Sequence, residues 1–295
     1  AVVVRDQRSG VAGMIRTALR YHAPDDLGEA TELLHTHEER AAVLGGGTML
    51  VPSLTRGDRD LDHVIDLRRI GLGDVSSTAG GVRIGASVSY ARLLAAPPFT
   101  GATRLLQLAA EGITGGPQIR CQGTICGSVA YANPSSDVPA VLVALEAVIH
   151  LRGPEHSRAV PAEAFLLDAF TVDLRRGELL TGVTVGARSA RVGYYKLKLA
   201  EGSWPIATAS AVVPDTGDSL IGATVTLGAV SARPLRLDLA PLLDGHGRLP
   251  TARDVDDWVS AQLGEPWDDE LAPGDYRRRV AGVVLRRALQ RAQGN

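Results

Sequence analysis

The chain has 295 residues, room for about two domains, or three small ones, at roughly 100–200 residues each. Hydrophobic residues make up 45% and charged residues 22%, the balance of a folded globular protein and not of a disordered or fibrous one. A net charge of −2 provides no field to hold a polyanion, so nucleic acid is not an expected partner.

No run of about 18 apolar residues occurs, so no membrane span is expected. The opening Ala-Val-Val-Val-Arg-Asp lacks the basic, apolar and small-residue order of a signal peptide, and the expected location is cytoplasmic. The two cysteines, Cys121 and Cys126, are too few for a disulfide scaffold, and a C-x4-C pair falls short of the four thiolates of an iron–sulfur cluster. The 33 glycines and 16 prolines imply many turns, while three Trp, six Tyr and three Phe make each aromatic worth placing.

Residues 1–14 show no periodicity and read as an N-terminal tail. Asp25 or Asp26 is placed to cap a helix whose apolar face is Leu27, Ala30, Leu33 and Leu34. Val43-Leu44 then runs as a strand into Gly45-Gly46-Gly47-Thr48. Strands are expected at 63–67 and 82–86, and short helices after Ser87 or Ser89 and from Thr103. Residues 112–136 carry five glycines and two prolines without a steady period, the pattern of a long functional loop. Asp137 reads as the N-cap of a helix through Leu145, and 147–151 as a strand. Strands at 179–185, 193–199, 206–213 and 220–230 suggest an antiparallel sheet, and helices at 252–263 and 276–292 close the chain. The last helix is rich in arginine, which suits either a solvated, dipole-compensating face or the docking of a partner or anion.

Two segments carry the chemistry. Three consecutive glycines after a strand permit positive φ and close approach of a ligand, leaving backbone N–H groups for phosphate oxygens; an ordinary tight turn is the plainer reading. The segment is neither G-x-G-x-x-G nor G-x-x-x-x-G-K-[ST], which disfavours a nicotinamide Rossmann site. The second segment, Gln118 to Asp137, gathers small residues and hydroxyls and ends in a carboxylate at a helix start. N–H groups around Thr124, Ile125, Cys126, Gly127 and Ser128 suit a pyrophosphate, and Asp137 suits a sugar or flavin hydroxyl, a simple helix cap, or both.

Together these segments resemble the FAD-binding medium subunit of the molybdenum hydroxylases, the xanthine dehydrogenase and carbon monoxide dehydrogenase group. Gly45 to Pro52 is similar to the family's A-G-G-x-S-L-x-P, and Gln118 to Pro139 to its Q-I-R-x-x-G-T-I-G-G-[NS] loop followed by D-P-x-x-D-x-P. Tyr21-His22-Ala23-Pro24 resembles its opening Y-x-x-P, Glu178-Leu179-Leu180-Thr181 its E-L-L-T strand, and 276–292 its closing helix. The likeness spans about 15–292.

The resemblance implies an α+β chain: two α/β subdomains, 15–70 and 71–190, clamping FAD in the vanillyl-alcohol oxidase or PCMH-type fold, and a C-terminal α+β domain, 191–295, of three strands and helices. Gly45, Gly46, Gly47, Thr48 and Met49, with the loop Thr124 to Ser128, would be the pyrophosphate loops, and Asp137 would meet ribityl or ribose hydroxyls. Leu179 would pack on the flavin. Lys196 would lie at its N1–C2=O edge and stabilise the anionic reduced ring; a solvated strand lysine is the plain alternative. Trp204 would stand beside the isoalloxazine, against simple core packing as the alternative. Cys126 departs from the pattern by replacing a glycine, where its Cβ would crowd the phosphate approach, and Met49 by replacing a small hydroxyl.

The role implied is an FAD oxidoreductase subunit passing electrons from a molybdopterin-binding large subunit and a 2Fe-2S small subunit to a small-molecule acceptor. The rival is a stand-alone FAD oxidoreductase acting directly on a small organic substrate. No metal site is expected: His35 and His37 lack an acid or cysteine at ligand spacing, and His63, His150 and His246 are isolated in sequence.

Overall fold

The computed structural model describes residues 2–4, backbone only, and 18–294. Apart from 2–4, the expected tail at 1–14 lies outside the described residues. The chain is α+β, built on three principal sheets.

The first sheet holds β1 (Val2–Val4), β2 (Leu19–His22), β3 (Ala41–Leu44) and β4 (His63–Asp66) in the order β1-β2-β4-β3. β2 and β3 both run parallel to β4, and the crossovers carry α1 (Leu27–His37) and α2 (Leu50–Arg56). Asp26 caps α1 by accepting from Glu29 N at 2.9 Å. Buried Ala30 and Ile65 join α1 to the sheet.

The second sheet contains β5 (Val75–Thr78), β6 (Gly81–Gly85), β7 (Val148–Arg152), β8 (Ser157–Pro161) and, after α8 (Ala162–Phe165) and the hairpin of β9 (Leu166–Asp168) and β10 (Thr171–Val172), β11 (Leu179–Gly186). It is antiparallel, in the order β5-β6-β11-β7-β8. Between β6 and β7 the chain forms α3 (Tyr90–Ala95), α4 (Arg104–Glu111), α5 (Gly116–Gln122), α6 (Ile125–Tyr131) and α7 (Asp137–Ala144). The segment 112–136, expected as one long loop, thus contains two short helices. Each has only seven residues, too few to display a period.

The third sheet is an antiparallel meander of β12 (Ala190–Lys198), β13 (Pro205–Pro214), β14 (Thr224–Gly228) and β15 (Leu235–Asp238), closed by α9 (Ala252–Gln262) and α10 (Gly274–Ala292). Four strands stand where three are expected; β15 is short and its leucines are split by Arg236. β13 is buried on both faces: Ala207, Ala209, Ala211 and Val213 join the core under α9 and α10, while Thr208 and Ser210 alternate with them. That second face meets α7, where a Cβ on Gly228 would approach the Ala140 methyl to 2.8 Å.

Arg277 and Arg278 of α10 depart from the solvated reading, while Arg279, Arg287 and Arg291 are exposed. Arg277 is fully buried and donates to Ala272 O, Ile206 O, Ala229 O and Asp269. Arg278 donates to Ser260 O, Leu263 O and Gly264 O at the end of α9, supplying donors that the helix terminus lacks. Among the described residues no helix is long and apolar enough to cross a membrane.

Candidate functional site

The first glycine segment joins β3 to α2. Gly47 has φ +71°, the left-handed conformation expected of the turn. Gly46 is glycine for another reason. A Cβ there would lie 1.9 Å from the Gln122 carbonyl oxygen and 2.9 Å from Gly123 Cα, so the first loop rests directly on the second. Among the described residues the N–H groups of Gly46, Gly47, Thr48 and Met49 find no protein acceptor.

The second loop is fixed by its own cap and by the β6–α3 connection. Thr124 Oγ1 accepts from Gly127 N at 3.0 Å, opening α6. Ile125 N donates to Val88 O and Tyr90 N to Gly123 O, and the Tyr90 and Ser128 hydroxyls are hydrogen-bonded. Gly127 is exposed and Ser128 half-buried, whereas Ile125 and Cys126 turn their side chains into the core. Cys126 therefore does not crowd a phosphate approach. Its Sγ lies 3.9 Å from Gly85 O, and burial pushes the thiol up to about 12.

Asp137 is the first residue of α7, and Ser136 occupies the cap position without a side-chain bond. The carboxylate instead faces inward. Tyr194 donates its hydroxyl to Oδ1, and Lys196 Nζ donates to Oδ2 at 3.0 Å and to Gly112 O at 2.9 Å. Both carboxylate oxygens are thus held by protein donors. Burial pushes the Asp137 carboxyl above its ordinary value, against the pull of Lys196 and the hydrogen bond from Tyr194. Burial and the Asp137 charge raise the Tyr194 phenol in turn.

Lys196 is accordingly neither free nor solvated. It lines a cleft of about 490 Å³ between α4, β12 and α10, with Arg104, Leu108, Lys198 and Arg291 around it. Trp204, 36% exposed, stands in the turn of the β12–β13 hairpin and not in the core. Leu179 is 2% exposed within the second sheet and offers little surface to a ligand.

Two features escaped the sequence reading. Glu178 anchors its turn by accepting from Arg158 at 2.7 Å, from Arg175 N at 2.7 Å and from His156 at 3.0 Å. Burial alone would raise this carboxyl, but those donors hold it at about 2. His63, isolated in sequence, lies against His22 and His37.

Two loops rest on each other, and backbone donors of the first are left open between strand and helix, an arrangement chemically suited to phosphate oxygens. The family described as "FAD binding domain in molybdopterin dehydrogenase" matches residues 16–187. The carbon monoxide dehydrogenase medium chain of Hydrogenophaga pseudoflava is 32% identical over 291 residues, covering 95% of this chain and 98% of its own. The glyceraldehyde dehydrogenase medium chain of Sulfolobus acidocaldarius is 29% identical, covering 92% and 96%. A chain of reconstituted CO dehydrogenase from Oligotropha carboxidovorans superposes with a TM-score of 0.87 at 30% identity, over 94% of this chain and 98% of that one. The chain belongs to the FAD-binding medium subunits of the molybdenum hydroxylase family. It is an oxidoreductase flavoprotein subunit whose cofactor is FAD, and the stand-alone reading falls behind.

Proposed function

We propose that the chain is the FAD-carrying station of a three-chain dehydrogenase. Its electrons would come through a 2Fe-2S small subunit from a molybdopterin-binding large subunit and leave to a small-molecule acceptor. The relatives named as medium chains support this reading, as does the shortage of thiolates here: Cys126 is buried, and two cysteines cannot ligate a cluster. Both are free thiols, which suits a reducing cytoplasm.

The observation that carries the cofactor assignment is the Gly46–Gln122 closure beside unpartnered N–H groups. In this reading the N–H groups of Gly46, Gly47, Thr48 and Met49 hold one side of the pyrophosphate, with Gly45 packed behind them against Thr124. The second loop borders the other side with the exposed, side-chain-free Gly127, while the N–H groups of Gly127 and Ser128 are taken up by Thr124 and the Ser128 hydroxyl by Tyr90. Ile125 and Cys126 turn their side chains into the core, and the Ile125 N–H is already donated to Val88 O.

When bound, FAD would accept electrons singly from a cluster, store two, and pass them to an acceptor. Lys196 keeps a positive charge beside the reacting ring, and Asp137 acts through Lys196 by fixing where that charge sits. Trp204 covers the ring from the hairpin turn and excludes water. The test is a comparison of the wild type with Lys196→Met and Trp204→Ala in the assembled enzyme. The flavin midpoint potential should fall in Lys196→Met with FAD retained. An unchanged potential would remove Lys196 from the site.

A further inference from the structure

Three histidines that lie 15 and 26 positions apart in the sequence meet at one end of the first sheet. His22 ends β2 and His63 begins β4; because β2 and β4 are parallel with His22 opposite Ile65, both rings project from the same face. His37 comes down on them from the last turn of α1, the helix that covers that face. One ring nitrogen from each residue lies within 4.8 Å of the others. His22 Nε2 and His63 Nδ1 are 2.8 Å apart, and the His37 and His63 rings stack with centroids 3.5 Å apart.

Among the described residues no carboxylate hydrogen-bonds any of the three rings; Glu29 and Asp62 act on His22 and His63 only through space. Burial first, then the neighbouring imidazoles and Arg20, lower His22 and His63, which favours the neutral form that a metal requires. A tetrahedral shell with metal–nitrogen bonds of about 2.0–2.1 Å places its ligand nitrogens roughly 3.4 Å apart, inside the span the cluster already occupies. Half-exposed His22 and His37 leave an entry path and room for a water as fourth ligand, while buried His63 forms the floor. The stacked rings must open slightly to point at one ion. His37, at a helix end, has the freedom to do so.

We propose that His22, His37 and His63 form a binding site for a divalent first-row transition-metal ion of the zinc class. The all-imidazole set suits Zn²⁺, Co²⁺, Ni²⁺ or Cu²⁺ and disfavours Mg²⁺ and Ca²⁺. The ion ties α1 to β2 and β4. β3, which pairs with β4 from Ala41 opposite His63 to Leu44 opposite Asp66, leads from there into the first glycine loop. The ion is therefore structural, bracing the base of the strands whose far ends carry the cofactor loop.

The test is a titration of the full chain, freed of metal by chelator dialysis, with Co²⁺ alone. One equivalent should bind with the visible ligand-field bands of four-coordinate cobalt, Zn²⁺ should displace it, and Zn²⁺ should raise Tm. His37→Gln should lose the bands while His35→Gln, on the same helix but outside the cluster, keeps them; circular dichroism and flavin content show that both variants are folded. Absence of cobalt uptake by the wild type, or equal uptake by His37→Gln, would overturn the proposal. So would melting that falls in mild acid through the same histidines without cobalt uptake, which would make the cluster a proton-responsive stack.

Discussion

Lys196 reaches Asp137 across 3.0 Å although the two are 59 positions apart, and both side chains are almost fully removed from water. The bond ties β12 of the third sheet to the start of α7, and Gly112 O adds the end of α4 to the same ammonium. Breaking such a pair from one side leaves a buried charge without a partner. Lys196→Met should destabilise the chain by about 3–5 kcal/mol in urea unfolding. Adding Asp137→Asn should restore most of that. If the single variant unfolds like the wild type, the pair is not the buried link between these elements.

Gly46→Ala should drive the two loops apart, because its methyl would stand 1.9 Å from the Gln122 carbonyl oxygen. A loss of about 1–3 kcal/mol is expected for overpacking of this kind, together with reduced flavin content. Gly45→Ala, whose methyl meets Thr124 Oγ1 at 3.2 Å, should be the milder change. Flavin absorbance per chain of both variants, measured side by side, checks the order.

Glu178 makes a pH prediction with a definite sign. Its carboxyl is held at about 2 in the folded chain against an ordinary value of 4.5. The folded state therefore favours the carboxylate. The stabilisation is present above about pH 4.5 and is lost as pH falls towards 2, an effect of up to about 3 kcal/mol. Urea midpoints across that window should drop for the wild type and change less for Glu178→Gln. Parallel slopes would place the acid sensitivity elsewhere.

Arg277 should not tolerate lysine. Its guanidinium serves the carbonyls of Ala272, Ile206 and Ala229 and the Asp269 carboxylate from one fixed plane, a pattern an ammonium cannot reproduce. Arg277→Lys should lower stability by about 2–4 kcal/mol as buried carbonyls lose their donors. Arg279→Lys, at a position whose guanidinium lies over the Tyr276 ring, is the control and should be nearly neutral. Equal melting of the two variants would show that α10 is not anchored through Arg277.

The parts legible in the sequence were those with a local signature. The Gly45–Gly47 turn, the Asp26 cap and the long strands of the third sheet each declare themselves within a few residues. What stayed hidden depends on contacts between distant positions. Asp137 looks like a cap in one dimension, yet Ser136 takes that place and the carboxylate turns towards Tyr194 and Lys196. His63 seems isolated until parallel pairing of β2 and β4 sets it beside His22. The arginines of α10 look like a solvated stripe because nothing local shows that Arg277 faces the carbonyls of Ile206 and Ala229. Cys126 occupies a loop position by alignment, but the α6 turn aims it at Gly85.

The central claim, a flavin that receives its electrons from partner chains, is tested most directly by anaerobic reduction of the purified chain with and without molybdenum and iron–sulfur subunits. The account predicts about one FAD per chain. It predicts bleaching of the flavin band by the assembled enzyme's substrate only after the partners are added. A chain that binds no FAD, or whose flavin such a substrate bleaches without partners, would contradict it.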